Sequence, residues 1–313
     1  MIVIYGAPFV LLFGIVGNTL IIVTFSSKRL RYKSYAWLFI CLSVSDSGFL
    51  ATGLVRRWTI FYYHLRYDFR DENSIVCVAH TFLTHYFVHA SPWMLVLITI
   101  ERCVSVVAPM RAKIICSRKR MVYASLVVMF LVFAINSHMF YGKRIQSGYC
   151  HEREGVYAVF WFRYWLNIDL VIASAAPFAV LLISNAVIIY FLKRAESRRK
   201  TQTSAVTNTS KKPVTNSITL MLVATNFIFL VTSFPFNVCL QLDDEYVPIL
   251  VHAIFAMLLY VNYAINFWLY CFTGRKFREE LIVLCGFCRR KGRVPTADNT
   301  TRRLEQGESS VRF

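Results

Sequence analysis

The chain has 313 residues, 57% of them hydrophobic, with a mean hydropathy of +0.49 and a formal net charge of +18. This excludes an ordinary soluble domain. Nucleic-acid binding is excluded too, because it needs a basic groove with stacking aromatics and the aromatics here sit in apolar runs; the charge reads as topology and affinity for anionic lipid.

Seven apolar runs follow in order, at 2–25, 36–61, 75–107, 121–141, 156–191, 214–240 and 247–272. Each is long enough for the roughly 20 residues that cross a bilayer. Interior Pro, Ser and Asn are tolerated in such runs, since neighbouring helices satisfy the backbone groups they free. The first run starts almost at Met1, without a basic leader or a small-residue cleavage site, and reads as a signal anchor. It carries Gly17 and Asn18. The second holds Asp46, a lone carboxylate that costs about 2.5–3.5 kcal/mol in hydrocarbon and so belongs in a polar bundle interior. Arg56 and Arg57 stand near its outer end. Arg57 follows Asp46 by about three helical turns, which points it to the same inward face, whereas Arg56 is turned aside by roughly 80°.

On the third run Cys77, His80, Thr84, Ser91 and Arg102 fall within roughly 40° of one another. On the seventh, Asn262, Asn266 and Tyr270 share a face at i, i+4, i+8. Asp46, Ser91, Asn262 and Asn266 are therefore expected to converge. The connections after the first, third and fifth runs, together with the tail, hold most of the 35 Lys and Arg. The positive-inside rule then puts the amino terminus outside and the carboxyl terminus in the cytosol. Of nine cysteines, Cys77 and Cys150 lie at the oxidising outer side in positions suited to a bridge, with Cys239 as the rival partner.

Organisation follows from these runs: a membrane bundle over 1–274, an amphipathic juxtamembrane helix over 275–288 and a disordered cytosolic tail over 289–313. Cys285 and Cys288 sit beside basic residues, as reversible palmitoylation sites or as plain thiols.

Several motifs occur together. They are Gly17-Asn18, Leu42-Ser43-Val44-Ser45-Asp46, Glu101-Arg102-Cys103, Asn266-Phe267-Trp268-Leu269-Tyr270, and Phe272-Thr273-Gly274-Arg275-Lys276-Phe277. In this order and topology they resemble the rhodopsin-like (class A) G-protein-coupled receptors over nearly the whole chain. The runs 264–278 and 108–116 look most like the FMRFamide, myosuppressin and sex-peptide receptors of invertebrates.

The resemblance implies an all-α membrane protein, a seven-transmembrane helix bundle with a short amphipathic eighth helix, at the plasma membrane. It implies an extracellular peptide ligand, a heterotrimeric G protein, and arrestin and a receptor kinase acting at Thr296, Thr300, Thr301, Ser309 and Ser310. Glu101 and Arg102 match the Asp/Glu-Arg-Tyr triplet, and Asn266 and Tyr270 match Asn-Pro-x-x-Tyr with Phe267 replacing the proline. Phe229 and Pro235 match the sixth-helix motif, with Thr232 and Ser233 where Cys and Trp are usual, so Phe229 or Phe236 takes the toggle part. Pro177 matches the fifth-helix proline, while Asn185 replaces a common Tyr. The fourth run lacks the usual Trp, a space assigned to Phe130 or Phe133. Asp46, Ser91, Asn262 and Asn266 match the family's sodium site, with a hydrated cluster as the alternative, and no covalent cofactor is implied. No acidic residue stands at Thr215 or its neighbours to pair with Arg102, so Glu101–Arg102 is the main local lock.

The ligand mouth is assigned to Arg57, His80, Thr84, Arg163, Phe236, Leu240 and His252. Arg57 either binds a ligand carboxylate or extends to headgroups. Asp243, Asp244 and Glu245 read as solvated charges. An amine ligand is disfavoured because Thr84 stands where amine receptors carry Asp, and retinal is excluded because 247–272 contains no Lys. A small non-amine ligand entering the bundle remains the alternative, as does a chain truncated at its start. No catalytic constellation appears, which argues against an enzyme. His85 and His89 have the i, i+4 spacing of zinc ligands but face away from Ser91 without a third ligand, and the inverted repeats of a transporter are missing.

Overall fold

The computed structural model describes residues 1–203, 225–229, 231–233, 236 and 248–291. Among the described residues six helices are long and apolar enough to cross a membrane. They are span 1 (Ile2–Phe25), span 2 (Ser34–Tyr62), span 3 (Ser74–Val107), span 4 (Arg118–Gly142), span 5 (Val156–Ala195) and span 7 (Ile249–Phe272). Helical pieces at 225–229, 231–233 and 236 fall in the sixth run. Pro235, Leu240, Cys239, Thr215, the acidic stretch 243–245 and the tail from 292 lie outside the described residues.

Helices dominate because a bilayer offers no water to the backbone, so each apolar segment must satisfy its own N–H and C=O groups. Span 3 packs against spans 2, 4 and 5, while span 1 lies against spans 2 and 7. Small residues set that last approach: a Cβ at Gly17 would lie 2.9 Å from Cβ of Phe267, and one at Gly14 the same distance from Cβ of Ala264. Phe267 thus packs on Gly17 instead of kinking span 7. On the inner half an aromatic core joins three elements. Phe25 stacks on Phe39 at 4.6 Å between centroids, and Phe39 meets Tyr270 edge-on at 5.1 Å.

Among the described residues three wide π-helical turns interrupt the spans, at Leu50–Leu54 in span 2 and at Trp161–Trp165 and Val171–Ala175 in span 5. Such a turn takes in an extra residue and rotates every face beyond it. The last one leads into Pro177, which has no N–H to donate to the carbonyl of residue 173. In span 4 neither phenylalanine enters the bundle interior. Phe130 is exposed, and Phe133 is half exposed and packs on Phe82 at 5.3 Å.

A hairpin of β1 (Lys143–Gln146) and β2 (Tyr149–Glu152) lies between spans 4 and 5. Its turn places Ser147 and Gly148 at φ +51° and +82°, the positive values a two-residue hairpin turn requires. A Cys77–Cys150 disulfide ties β2 to span 3, with Cα atoms 5.6 Å apart, and the Cys150 N–H donates to Asp71 Oδ1 at 2.7 Å. Lys143 pairs with Glu152 and lies 3.7 Å from the Trp161 ring centroid, anchoring the hairpin to span 5. Burial pulls the Lys143 ammonium below its ordinary range, and Glu152 partly offsets that.

Beyond Gly274 the chain enters a further helix, Arg275–Lys291. Arg278 Nη1 donates back to the carbonyls of Cys271 and Phe272, at 3.0 and 2.7 Å, satisfying acceptors that span 7 leaves open at its end. The side chains of Cys285 and Cys288 lie outside the described residues.

Candidate functional site

At the ends of spans 2, 3 and 7 that lie on the side of the Cys77–Cys150 bridge, a cavity of about 300 Å³ is lined by Arg56, Arg57, Arg70, His80, Thr84, His85 and Tyr260, among others. Three guanidiniums face it, and one carboxylate holds two of them. Asp68 accepts from Arg56 Nη2 at 2.7 Å and from Arg70 Nη2 at 2.9 Å. Burial opposes ionisation of Asp68, but the hydrogen bonds from Arg70 and Arg56 outweigh it and hold the carboxyl well below the usual carboxylate range. Arg57 lies 5.7 Å from the Phe236 ring centroid and makes no ion pair among the described residues. Among the described residues the cavity is therefore net positive.

His80 Nε2 sits 3.2 Å from the carbonyl oxygen of Thr52, inside the first π turn. A carbonyl only accepts, so Nε2 carries the proton. The wide turn and the histidine thus fix each other. Thr84 Oγ1 donates to the His80 carbonyl at 2.8 Å.

Of the residues assigned to the mouth, Arg57, His80 and Thr84 line this cavity. Phe236 flanks it through Arg57, and His252 meets Phe236 edge-on at 5.7 Å. Arg163 does not belong there. It is exposed, because its π turn buries Trp161 and Trp165 and sends Arg163 outward. Arg56 needs the opposite correction. Straight-helix register turns it aside, yet it lines the cavity, since the wide turn at Leu50–Leu54 lies between it and Asp46.

Deeper in the bundle, Asp46 accepts from Ser91 Oγ at 2.5 Å and from Asn266 Nδ2 at 2.7 Å. Asn262 is buried but makes no hydrogen bond to Asp46. Asn18 Nδ2 donates to the Tyr263 carbonyl at 3.2 Å, and the Oδ1 atoms of Asn18 and Asn266 are buried without a partner. Asn226, which carries no motif, donates to Asn185 Oδ1 at 2.9 Å and to Thr99 Oγ1 at 3.2 Å, linking the sixth run to spans 5 and 3.

A second polar cluster fills the junction of spans 3, 4 and 5. Asn136 Nδ2 donates to the Val132 carbonyl at 2.8 Å, which fixes the amide orientation, and its other hydrogen points to His89 Nδ1 at 3.0 Å. His89 Nδ1 is then the acceptor, and Nε2–H donates to Asp169 Oδ1 at 3.0 Å. Sequence reading saw the histidines but not Asp169, which comes from 80 residues away. Among the described residues no three His, Cys, Asp or Glu stand together as metal ligands.

At the opposite end of the bundle Arg102 Nε lies 2.9 Å from Glu101 Oε2, an ion pair too poorly aligned to count as a hydrogen bond. Its guanidinium sits 4.1 Å from the Tyr35 ring centroid. Ser34 Oγ donates to Glu101 Oε1 at 2.7 Å. Two residues at the start of span 2 therefore hold the pair from one side.

The model of the family described as 7 transmembrane receptor (rhodopsin family) matches residues 17–270. The chain belongs to this family. Members are multi-pass plasma-membrane signalling receptors and not enzymes. The receptor is similar to neuromedin-U receptor 2 of Mus musculus, 24% identical over 88% of this chain and 72% of that protein. It is also similar to an FMRFamide peptide receptor of Caenorhabditis elegans, 26% identical over 61% of this chain and 46% of the other. The sex peptide receptor of Drosophila melanogaster is 23% identical over 88% of this chain and 70% of its own length.

Proposed function

We propose that this receptor is activated by an extracellular peptide and signals through heterotrimeric G proteins, with its amino terminus outside and its carboxyl terminus in the cytosol. The observation that carries the ligand reading is the net-positive outer cavity, in a chain whose relatives are named for peptides. Arg57 takes an acidic or terminal carboxylate group of the ligand, because a half-buried guanidinium with no carboxylate partner among the described residues favours that partner. His80, Thr84, Phe236 and His252 shape the rest of the mouth.

Ligand binding biases an equilibrium between two arrangements of the bundle. In the resting one Arg102 is held by Glu101, itself fixed by Ser34, and by Tyr35; release frees it toward the G protein, alongside the basic loops. Phe229 and Tyr270, both buried, act as switch residues in that change. A sodium ion at Asp46 stabilises the resting arrangement. The donor set fits a hard cation: carboxylate and hydroxyl oxygens of Asp46 and Ser91, plus the unpartnered amide oxygen of Asn266, with Asn262 buried nearby on the same helix. Tail phosphorylation by a receptor kinase recruits arrestin, and acylation at Cys285 and Cys288 anchors the juxtamembrane helix.

The test is a panel of amidated neuropeptides applied to cells expressing the receptor, read by calcium and cyclic AMP. A peptide agonist is expected, and Arg57→Ala should weaken it by about 10- to 100-fold, the range for losing a charged hydrogen bond. Equal potency on the variant removes Arg57 from the site. A response confined to small acids removes the peptide.

A further inference from the structure

About one helical turn before Arg102 on span 3, polar side chains from three elements meet in an otherwise apolar core. Thr99 and Asn226 are fully buried, and Asn185 of span 5 is 8% exposed. Their neighbours along the three elements, Ile98, Leu181 and Phe229, belong to one apolar cluster. Thr99 Oγ1 donates to the Leu95 carbonyl at 2.8 Å, so toward Asn226 it acts as an acceptor. That fixes the Asn226 amide. Its Nδ2 gives one hydrogen to Thr99 Oγ1 at 3.2 Å and the other to Asn185 Oδ1 at 2.9 Å.

Both hydrogens of one nitrogen therefore bind two different spans. Hydrogen bonds between membrane helices add little net stability, because separated helices find other partners. A buried donor left without an acceptor costs more than a made bond gains. The contact is thus all-or-none: if the sixth run shifts from either span, an N–H is stranded in apolar surroundings. What the triad supplies is position, because it fixes one point of the sixth run against spans 3 and 5 at once. The Glu101–Arg102 pair does not do this. Among the described residues its contacts, Ser34 and Tyr35, come from span 2.

We propose that Asn226 is the positioning residue of the sixth run, holding it in the resting arrangement through Thr99 and Asn185, and that activation breaks both bonds together. The acceptor on span 5 is particular to this chain, since Asn185 stands where the resemblance leads one to expect Tyr. The link to activation rests on the two-arrangement reading given above; the positioning role rests on the geometry alone.

Thr99→Val tests this, because it is nearly isosteric, removes one acceptor and strands one Asn226 hydrogen in the resting arrangement only. The purified full-length receptor, without ligand, is read by hydrogen–deuterium exchange. Peptides from 214–240 are expected to exchange about tenfold faster than in wild type, the factor for one stranded buried donor, with peptides from 2–25 unchanged. Basal G-protein activation at matched surface expression should rise by a similar factor of about ten. Asn226→Leu/Thr99→Val no longer carries the stranded donor, so exchange and basal activation should fall back below those of Thr99→Val. Two purely structural core defects would instead add. Unchanged exchange in 214–240, or a double variant looser than Thr99→Val, overturns the proposal. Faster exchange without a rise in basal activation upholds the positioning role and counts against the G-protein reading. If Thr99→Val does not fold by thermal unfolding, Asn185→Leu strands the other hydrogen and decides by the same two measurements.

Discussion

Replacing Asp68 by Asn tests the electrostatic design of the outer cavity. The side chains of Asp68 and Arg70 are 14% and 15% exposed, and that of Arg56 is 34% exposed. Removing a shared counter-ion strands two cations, which costs about 3–5 kcal/mol when the group is fully buried. Solvent reaching Arg56 screens part of this, leaving about 2–3 kcal/mol. For a chain of this size that corresponds to a drop in Tm of about 4–6 °C. Thermal unfolding of the detergent-solubilised receptor reads it directly. Arg70→Gln added to Asp68→Asn should recover about half of the loss, because it removes one stranded charge. Acid should not imitate the mutation. The pairing holds the folded carboxyl below its unfolded range near 4, so the stabilisation is complete at neutral pH and is lost only as pH falls through the depressed folded value. Lowering pH from about 7 to 5 therefore leaves this contribution intact. A Tm within about 1 °C of wild type for Asp68→Asn, or no recovery in the double variant, refutes the reasoning.

Ser34→Ala should raise basal G-protein activation about fivefold at matched surface expression, since one hydrogen bond of about 1 kcal/mol restrains the Glu101–Arg102 pair. Tyr35→Ala should act in the same direction, and unchanged basal activity in both variants would sink the lock. Sodium chloride should stabilise the resting receptor over potassium chloride at equal ionic strength and lower agonist affinity, with both effects lost in Asp46→Asn. Agonist binding that is equally sodium-sensitive in that variant rejects the ion site. His89→Leu strands the Asp169 carboxylate and should remove most surface expression, while His89→Leu/Asp169→Leu recovers it. Normal expression of the single variant would contradict the pairing.

Sequence alone determined whatever depends on local length and period. Apolar runs of membrane length gave the helices, and helical register brought Ser91 and Asn266 to Asp46. The outer position of two cysteines gave the Cys77–Cys150 bridge. These succeed because an uninterrupted helix repeats one geometry, so a residue's face follows from counting. Tertiary structure decided the rest. The wide turn at Leu50–Leu54 brought Arg56 to the cavity, and the one at Trp161–Trp165 turned Arg163 away from it. Counting fails across such turns because the extra residue shifts every later face. Asp68 under Arg56, Asp169 against His89, and Tyr35 beneath Arg102 join groups from different loops or helices. Their partners are chosen by packing between segments remote in the chain, and no period within one segment records that choice.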